Sequence, residues 1–348
     1  MAVAHGGNLL AVAQQYQTNP IDWIDLSTGV SPFTYPLGSP PASCWNQLPQ
    51  DQDGLESTAT QYYGTNCEPV VVAGSQAAIM SLPSVITQKL GRCGIIALPE
   101  VGYKEHQHAW QAFQSAGESW TIEFYKDFPS DEQIDKSDVV LIINPNNPTG
   151  CFSSKLKLLE LLKSMESKQG MLIVDEAFAD CTQDVSLLSQ NTDWSNLVVL
   201  RSVGKFFGLA GARAGFLFAD GVVKNLVKEK IGPWTVSGPT RWAVKQALSD
   251  KQWHTETRSR LREQSLRLVQ LLEKYLSVDL SGTHLFTTVY LPDADKCHHM
   301  LCKEKVLTRL CDESDALRFG LPASENAWCQ LESALVRVQT MRKDTNNG

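Results

Sequence analysis

"VVLIINPNNPTGCFSSKLKLLELLKSMESKQGMLIVDEAF", residues 139–178, begins and ends with an apolar run. The two runs, VVLIINP (139–145) and MLIVDEAF (171–178), are near-continuous, which is typical of strands buried on both faces of a parallel sheet. Between them, KLKLLELLKSMESKQG (155–170) has the apolar spacing of a helix. A strand, a helix and a second strand in this order predict an α/β domain with a mostly parallel sheet.

The predicted helix has one apolar face and a glycine at its end. The side chains of that face are Leu158, Leu161, Leu162 and Met165. Gly170 is predicted to be the left-handed C′ residue that ends the helix. In a second predicted helix, which begins after residue 74, Pro83 is expected to cause a kink or an end.

Similar apolar runs lie on both sides of this stretch. The further predicted strands of the sheet are PVVVAG (69–74), GIIALP (94–99), NLVVLRS (196–202) and AGFLFAD (214–220). Beyond residue 250 the pattern predicts a long helix (253–276), a strand (285–291), a helix near 294–305, a strand (317–323) and a final helix from about Ser324. We therefore predict a large domain over 45–250 and a smaller α+β domain formed by 1–44 with 251–348.

The composition limits the classes of function. A chain of 348 residues suffices for two domains of about 150 residues each. Its net charge of −7 argues against broad nucleic-acid binding. We expect no membrane span, no signal peptide and no metal site. Nine scattered cysteines without a CxxC pair favour reduced thiols and a cytoplasmic location.

One lysine stands in an unusually apolar stretch, RSVGKFFGLAGARAGF (201–216). An amine near apolar groups and other cations has a lowered pKa and becomes nucleophilic towards carbonyls, and Lys205 is placed in this way. Ser202 and Arg213 flank it with a hydroxyl and a guanidinium, groups that bind a phosphate.

Polar residues also follow three of the predicted strands, at the sheet edge where ligands of parallel α/β sheets bind. The backbone amides of Gly74, Ser75 and Gln76 open a helix and would face an anion, although an ordinary strand–helix turn has the same sequence. Asn147 lies in a turn that is either only rigid or presents an amide to a ligand. Asp175 is either half of a structural salt bridge or the counter-ion of a buried cation.

Taken together, these groups predict one cofactor. A nucleophilic lysine, a phosphate cradle and a carboxylate for a protonated ring nitrogen match pyridoxal 5′-phosphate (PLP), which has an aldehyde, a phosphate and a pyridine ring. The segments NPNNPTG, VDEAF and S-x-x-K…R resemble the aspartate-aminotransferase superfamily of PLP enzymes. This resemblance implies the PLP-dependent transferase fold, with a large mostly parallel domain and a smaller α+β domain, and a homodimer.

The resemblance also implies individual roles. Lys205 bonds covalently to PLP, Asn147 contacts the ring O3′, Asp175 the ring nitrogen, and Ser202 and Arg213 the phosphate. Tyr103, in GYKEH, falls where the superfamily stacks an aromatic ring on the pyridine, although the residue types alone would equally suit a core tyrosine. His106 falls near the ring as well.

A narrower resemblance points to a reaction. AHGGNL (4–9), DLSTGVSP (25–32), DEAF and LRFGLP (317–322) are similar to superfamily members that decarboxylate phosphorylated threonine for cobalamin biosynthesis. This implies conversion of O-phospho-L-threonine to (R)-1-amino-2-propanol phosphate. The residues implied for the substrate are His5, Gly6, Gly29, Asn147, Arg309 and Arg318, the two arginines taking its phosphate and carboxylate in either order.

Two other functions stay open. The first is a PLP-dependent aminotransferase such as histidinol-phosphate aminotransferase, against which Phe178 counts, because transaminases of the superfamily usually have tyrosine there. The second is a non-catalytic PLP-binding protein, against which the presence of Lys205 counts. Leu48 replaces another tyrosine, one that reaches the partner's cofactor phosphate in related enzymes, and Tyr62 or Tyr63 are candidates to substitute for it.

Overall fold

The computed structural model describes residues 5–189, 194–276 and 279–346. The chain divides into two compact units. The larger unit contains Tyr35–Asn147 and Cys151–His254, and the smaller unit contains Met1–Thr34, Pro148–Gly150 and Thr255–Gly348. This division differs from the expected domains in the assignment of residues 35–44, 148–150 and 251–254.

The predicted strands and helices occur in the predicted order, and the structure adds several short strands and helices between them. The strands are β1 (Ile24–Asp25), β2 (Val70–Val72), β3 (Ile95–Pro99), β4 (Gln114–Ser115), β5 (Glu118–Ser119), β6 (Thr121–Tyr125), β7 (Val139–Ile143), β8 (Met171–Asp175), β9 (Leu197–Ser202), β10 (Gly215–Phe218), β11 (Leu280–Thr283), β12 (Phe286–Tyr290), β13 (Val306–Leu307), β14 (Arg309–Leu310) and β15 (Ala316–Gly320). The helices are α1 (Leu9–Gln15), α2 (Ser43–Asn46), α3 (Leu55–Tyr63), α4 (Ser75–Leu90), α5 (Lys104–Ala112), α6 (Asp131–Lys136), α7 (Lys155–Ser167), α8 (Gly221–Ile231), α9 (Gly238–Ser249), α10 (Lys251–Leu276), α11 (Ala294–Lys303) and α12 (Glu325–Asn346).

A mostly parallel sheet forms the core of the larger unit. Its order is β2-β10-β9-β8-β7-β3-β6, and β10 alone runs antiparallel to its neighbours β2 and β9. The α/β fold and the six strands predicted for this sheet are confirmed. The edge strand β6 was missed, because its side chains are mostly half-buried or exposed and its sequence TIEFY lacks a continuous apolar run.

For the helices, one prediction is wrong and one of the two alternatives in another is wrong. In α7 the left-handed residue is Gln169, with φ of 60°, and Gly170 follows it. The Gly170 amide donates to the Met165 carbonyl at 2.8 Å and that of Gln169 to Glu166 at 3.0 Å, which is the hydrogen-bond pattern of a Schellman motif. Helix α4 does not end at Pro83: it continues to Leu90, and Pro83 is buried with its apolar face.

The smaller unit contains a four-stranded antiparallel sheet of order β11-β12-β15-β14. In addition, β1 pairs in parallel with β13, with Ile24 opposite Val306. The long helix α10 buries three leucines, Leu261, Leu268 and Leu272. Across the described residues of both units, no helix has the length and apolar character needed to cross a membrane.

Candidate active site

One pocket of the larger unit brings the predicted cofactor residues together. It lies where β7, β8 and β9 end and where α4 and α5 begin. Its lining includes Gly74, Ser75, Gln76, Tyr103, Asn147, Asp175, Ser202, Lys205 and Arg213, which are the nine residues that the sequence singled out for the cofactor. Ile143, Ala177 and Phe178 add apolar surface. Residues far apart in the chain meet here because the parallel strands end at the same sheet edge.

One end of the pocket is suited to an anion. Gly74 has φ of 74° and ψ of 159°, and a Cβ atom added to it would lie 2.9 Å from Nη2 of Arg213. The guanidinium therefore lies over the turn that opens α4. Gly215 is equally close to the other side of that turn, since its Cβ would lie 2.7 Å from the backbone nitrogen of Ser75. A cation and the amides of a helix N-terminus together bind a phosphate.

A buried carboxylate lies elsewhere in the lining. Asp175 is only 3% exposed, and one of its oxygens is 2.8 Å from Nε2 of His106. Its other oxygen accepts a hydrogen bond from the Ala177 amide at 3.0 Å. His106 thus contacts Asp175, and these bonds fix the direction in which the carboxylate points. A carboxylate held in this way fits the protonated nitrogen of a pyridine ring.

Lys205 lies against an aromatic wall. Its Nζ atom is 5.1 Å from the centre of the Phe178 ring. Phe178 itself is 4% exposed, so its ring is fixed in the core. An amine that lies against an aromatic face is less hydrated than one in open solvent. A less hydrated amine is a better nucleophile for an aldehyde.

A buried ionic network behind the pocket was not predicted from the sequence. Arg201 forms ion pairs with Glu176 at 2.8 Å and with Asp180 at 2.9 Å, and all three side chains are at most 1% exposed. Its guanidinium also lies 4.4 Å from the ring centre of Tyr63. Tyr63 is therefore a core residue, which argues against a contact between its hydroxyl and the cofactor phosphate of a partner subunit. The hydroxyl of Tyr62 donates to Asp180 at 3.0 Å. The sequence feature that could have revealed this network is Arg201 itself, a charged residue inside an apolar strand and next to the predicted Ser202.

Five of the six predicted substrate residues lie in the smaller unit, whereas Asn147 lies in the larger unit and lines its pocket. Arg309 and Arg318 stand directly opposite each other on β14 and β15. Arg318 donates to the carbonyl of Ser27 at 2.6 Å and is 7% exposed, while Arg309 donates to Asp312 at 2.8 Å. Like charges that face each other across a sheet are unfavourable, and an anion bound to both would relieve their repulsion.

The N-terminal segment packs on the loop that contains Ser27. A Cβ atom on Gly6 would lie 2.3 Å from the Ser27 carbonyl oxygen, so only glycine fits there. The next residue, Gly7, donates its amide to the Ser27 hydroxyl at 2.7 Å. His5 immediately precedes Gly6 and is exposed, and Gly29 is buried in the same loop as Ser27. The structure thus gathers His5, Gly6, Gly29 and Arg318 around this loop.

The side chains of the larger unit fit PLP. The cation and helix amides match its phosphate, the buried carboxylate its ring nitrogen, and Lys205 its aldehyde. The chain matches the family described as aminotransferase class I and II over residues 44–327, and it therefore belongs to that family. Enzymes of this family use PLP, which is the cofactor of this chain.

The chain is similar to two proteins named threonine-phosphate decarboxylase and to the solved structure of an aminotransferase. It is 40% identical over 336 residues to the threonine-phosphate decarboxylase of Pseudomonas aeruginosa, covering 95% of this chain and 97% of that protein. It is 33% identical over 342 residues to the threonine-phosphate decarboxylase of Sinorhizobium sp, covering 97% and 98%. The structure of histidinol-phosphate aminotransferase from Clostridium acetobutylicum superposes with a TM-score of 0.76 at 22% identity, covering 90% and 98%. The last comparison shows the fold.

Proposed function

We propose that this chain is a PLP-dependent carboxy-lyase that converts O-phospho-L-threonine to (R)-1-amino-2-propanol phosphate in cobalamin biosynthesis. The observation that carries the proposal is the pair Arg309 and Arg318, which places two cations opposite each other on β14 and β15. The substrate has two anionic groups, a phosphate and a carboxylate. Full-length identity of 40% to a protein named threonine-phosphate decarboxylase supports the same substrate.

Each residue of the larger unit has a defined task in this proposal. Ser202, Arg213 and the amides at the start of α4 hold the cofactor's phosphate. Asp175 keeps a proton on the ring nitrogen, and His106 orients the carboxylate. When bound, PLP supplies an electron sink for the pair of electrons left by the departing carboxylate.

The remaining residues orient the reacting groups. Lys205 would hold the cofactor through its amine, and the same amine would be placed to deliver a proton to Cα of the substrate. Asn147 is proposed to contact O3′ and the substrate. Phe178 offers no hydroxyl at the position where transaminases of the superfamily have tyrosine. Asn147 therefore sets the charge distribution of the ring without a hydrogen bond from a tyrosine to O3′.

A carbon dioxide assay tests the reaction directly. Purified holoenzyme is mixed with O-phospho-L-threonine in the absence of any 2-oxo acid, and carbon dioxide and the amine product are measured. We expect release of both in equal amounts. The principal alternative, an aminotransferase such as that for histidinol phosphate, requires 2-oxoglutarate and produces glutamate. Turnover that depends on 2-oxoglutarate would contradict decarboxylation while leaving the PLP site intact.

Two substitutions separate the cofactor from the substrate. Lys205→Ala is expected to lose the visible absorbance of lysine-bound PLP, and a colourless wild-type protein that cannot be reconstituted would also count against the site. Arg318→Ala is expected to retain PLP and lose most of its affinity for substrate. Arg337→Ala is the control, because that side chain is 64% exposed on α12. Normal substrate affinity in Arg318→Ala would remove Arg318 from the substrate site.

We further propose that the enzyme is a homodimer. In the larger unit, Leu37, Trp45 and Leu48 are 42%, 71% and 58% exposed. Leu37 and Trp242 line an apolar groove of the same unit. Exposed apolar side chains of this size favour a protein interface. Light scattering on the purified protein tests this proposal, and a monomer of full activity would contradict it.

A cytoplasmic location is also proposed. The nine cysteines all lie in the part of the chain that the structure describes, and none of them forms a disulfide bond there, which is the pattern of a reducing compartment. The proposed metabolic substrate is consistent with it. Localisation of the tagged protein by cell fractionation is the test, and recovery in an extracytoplasmic fraction would contradict it.

A further inference from the structure

A chain of two hydrogen bonds ends on the hydroxyl of Tyr103. This hydroxyl donates to Oε1 of Gln76 at 3.1 Å, and Nε2 of the same carboxamide donates to Glu105 at 2.7 Å. Tyr103 and Gln76 line the cofactor pocket. Glu105, by contrast, is 8% exposed in the first turn of α5 and is absent from the described lining of the pocket.

The chemistry of these groups fixes the direction of both bonds. A carboxylate can only accept, so Glu105 takes the amide hydrogens of Gln76. The carbonyl end of Gln76 then has to face Tyr103, and a carbonyl also only accepts. The single hydroxyl proton of Tyr103 is therefore directed towards Gln76.

We propose that Glu105 and Gln76 are positioning residues that hold the Tyr103 ring and commit its hydroxyl proton to the Gln76 carboxamide. Tyr103 then acts through the face of its ring and is not a proton donor. This inference rests on the proposed placement of Tyr103 against the pyridine ring. It assigns Glu105 a role that its position outside the pocket does not suggest, and it gives the Gln76 side chain a role separate from its backbone amide.

A purely structural role for Glu105 makes a different prediction. An acidic residue in the first turn of a helix is favourable because of the partial positive charge there. That effect does not depend on the hydroxyl of Tyr103. The two explanations therefore differ in whether Glu105 matters when residue 103 is phenylalanine.

The test is a double-mutant cycle with Tyr103→Phe, Glu105→Gln and the double variant. The Kd for PLP is measured by titrating the apo proteins, and the visible circular dichroism of bound PLP reports how the ring is held. Neither measurement requires substrate, so failure of the decarboxylase proposal does not affect them. Thermal unfolding of the apo proteins reports stability separately.

We expect each single variant to weaken PLP binding about fivefold, the size of one ordinary hydrogen bond, and to alter the dichroism. The double variant is expected to be no weaker than Tyr103→Phe alone, because both changes remove the same positioning. Effects that multiply to about 25-fold in the double variant would overturn the inference. So would single variants that bind PLP as the wild type does.

Two further variants complete the design. If Glu105→Gln does not fold, Gln76→Met takes its place in the cycle, because it removes the carboxamide and keeps the backbone amide. Gln107→Met is the matched control, since it changes the same residue type on α5 and does not touch the two bonds. A change in PLP affinity in this control equal to that of Gln76→Met would also overturn the inference.

Discussion

Replacing Gly74 with alanine perturbs the phosphate end of the pocket at a single atom. The φ of 74° and ψ of 159° at Gly74 belong to a backbone region that costs other residues about 1–3 kcal/mol. The added methyl group would lie 2.9 Å from Nη2 of Arg213. The guanidinium has to move, and a hydrogen bond to a charged group contributes about 1.5–3 kcal/mol.

We expect Gly74→Ala to bind PLP about tenfold to a hundredfold more weakly, because each 1.4 kcal/mol changes Kd tenfold. Titration of the apo protein with PLP, followed by visible absorbance, measures this change. Thermal unfolding of the apo protein measures the accompanying strain. The displaced Arg213 accounts for the loss of affinity, and the backbone accounts for the loss of stability.

Gly91 provides a matched control at the other end of α4. Its φ is 72°, and among the described residues no atom lies within 4 Å of an added Cβ. Gly91→Ala is therefore expected to lose about 1–2 kcal/mol of stability through left-handed strain and to bind PLP normally. Equal PLP affinity in Gly74→Ala and Gly91→Ala would refute the assignment of this turn to the phosphate.

Three other predictions concern stability and reactivity. Arg201→Met leaves Glu176 as a buried carboxylate without its cation and is expected to cost about 3–5 kcal/mol in urea unfolding; a loss below 1 kcal/mol would contradict the network. Burial lowers the pKa of His298 from 6.5, so the folded chain binds fewer protons than the unfolded chain just below that pH, and its unfolding free energy falls as the pH drops. His298→Gln should reduce this fall, and an unchanged pH profile would count against it. Burial raises the pKa of the Cys311 thiol to about 11, so at pH 8 this thiol is almost entirely protonated. Iodoacetamide at that pH should therefore label the exposed Cys151 long before Cys311, as followed by mass spectrometry of the native protein. Equal labelling rates would contradict this prediction.

The sequence predicts the central sheet well because parallel strands buried on both faces have continuous apolar runs. It also predicts which residues meet in the pocket, since most of them end or follow such a run and strand ends meet at one edge. Asp175 was recognised as a carboxylate that needs a partner. That His106 contacts it could not be derived, because the two lie on different elements and their approach depends on how α5 packs.

Local propensity alone also misplaces some details. Gln169 adopts the left-handed conformation that glycine usually takes. The glycine comes one residue later, where an added Cβ would lie 2.7 Å from the end of the Met165 side chain and 3.0 Å from the Asp138 carbonyl oxygen. Arg201 was read as part of an apolar strand, and its partners Glu176 and Asp180 lie beyond a neighbouring strand. Such pairings depend on tertiary packing, which no local pattern contains.

The pairing of β1 with β13 has a consequence for synthesis of the protein. Ile24 leaves the ribosome long before Val306, its partner in the parallel ladder. The residues of the larger unit, between Tyr35 and His254, are all translated in the interval. The N-terminal segment therefore emerges long before its strand partner, and Arg309 and Arg318 on β14 and β15 emerge after every residue of the larger unit. Translation thus makes the two parts of the smaller unit first and last, with the pocket residues of the larger unit in between.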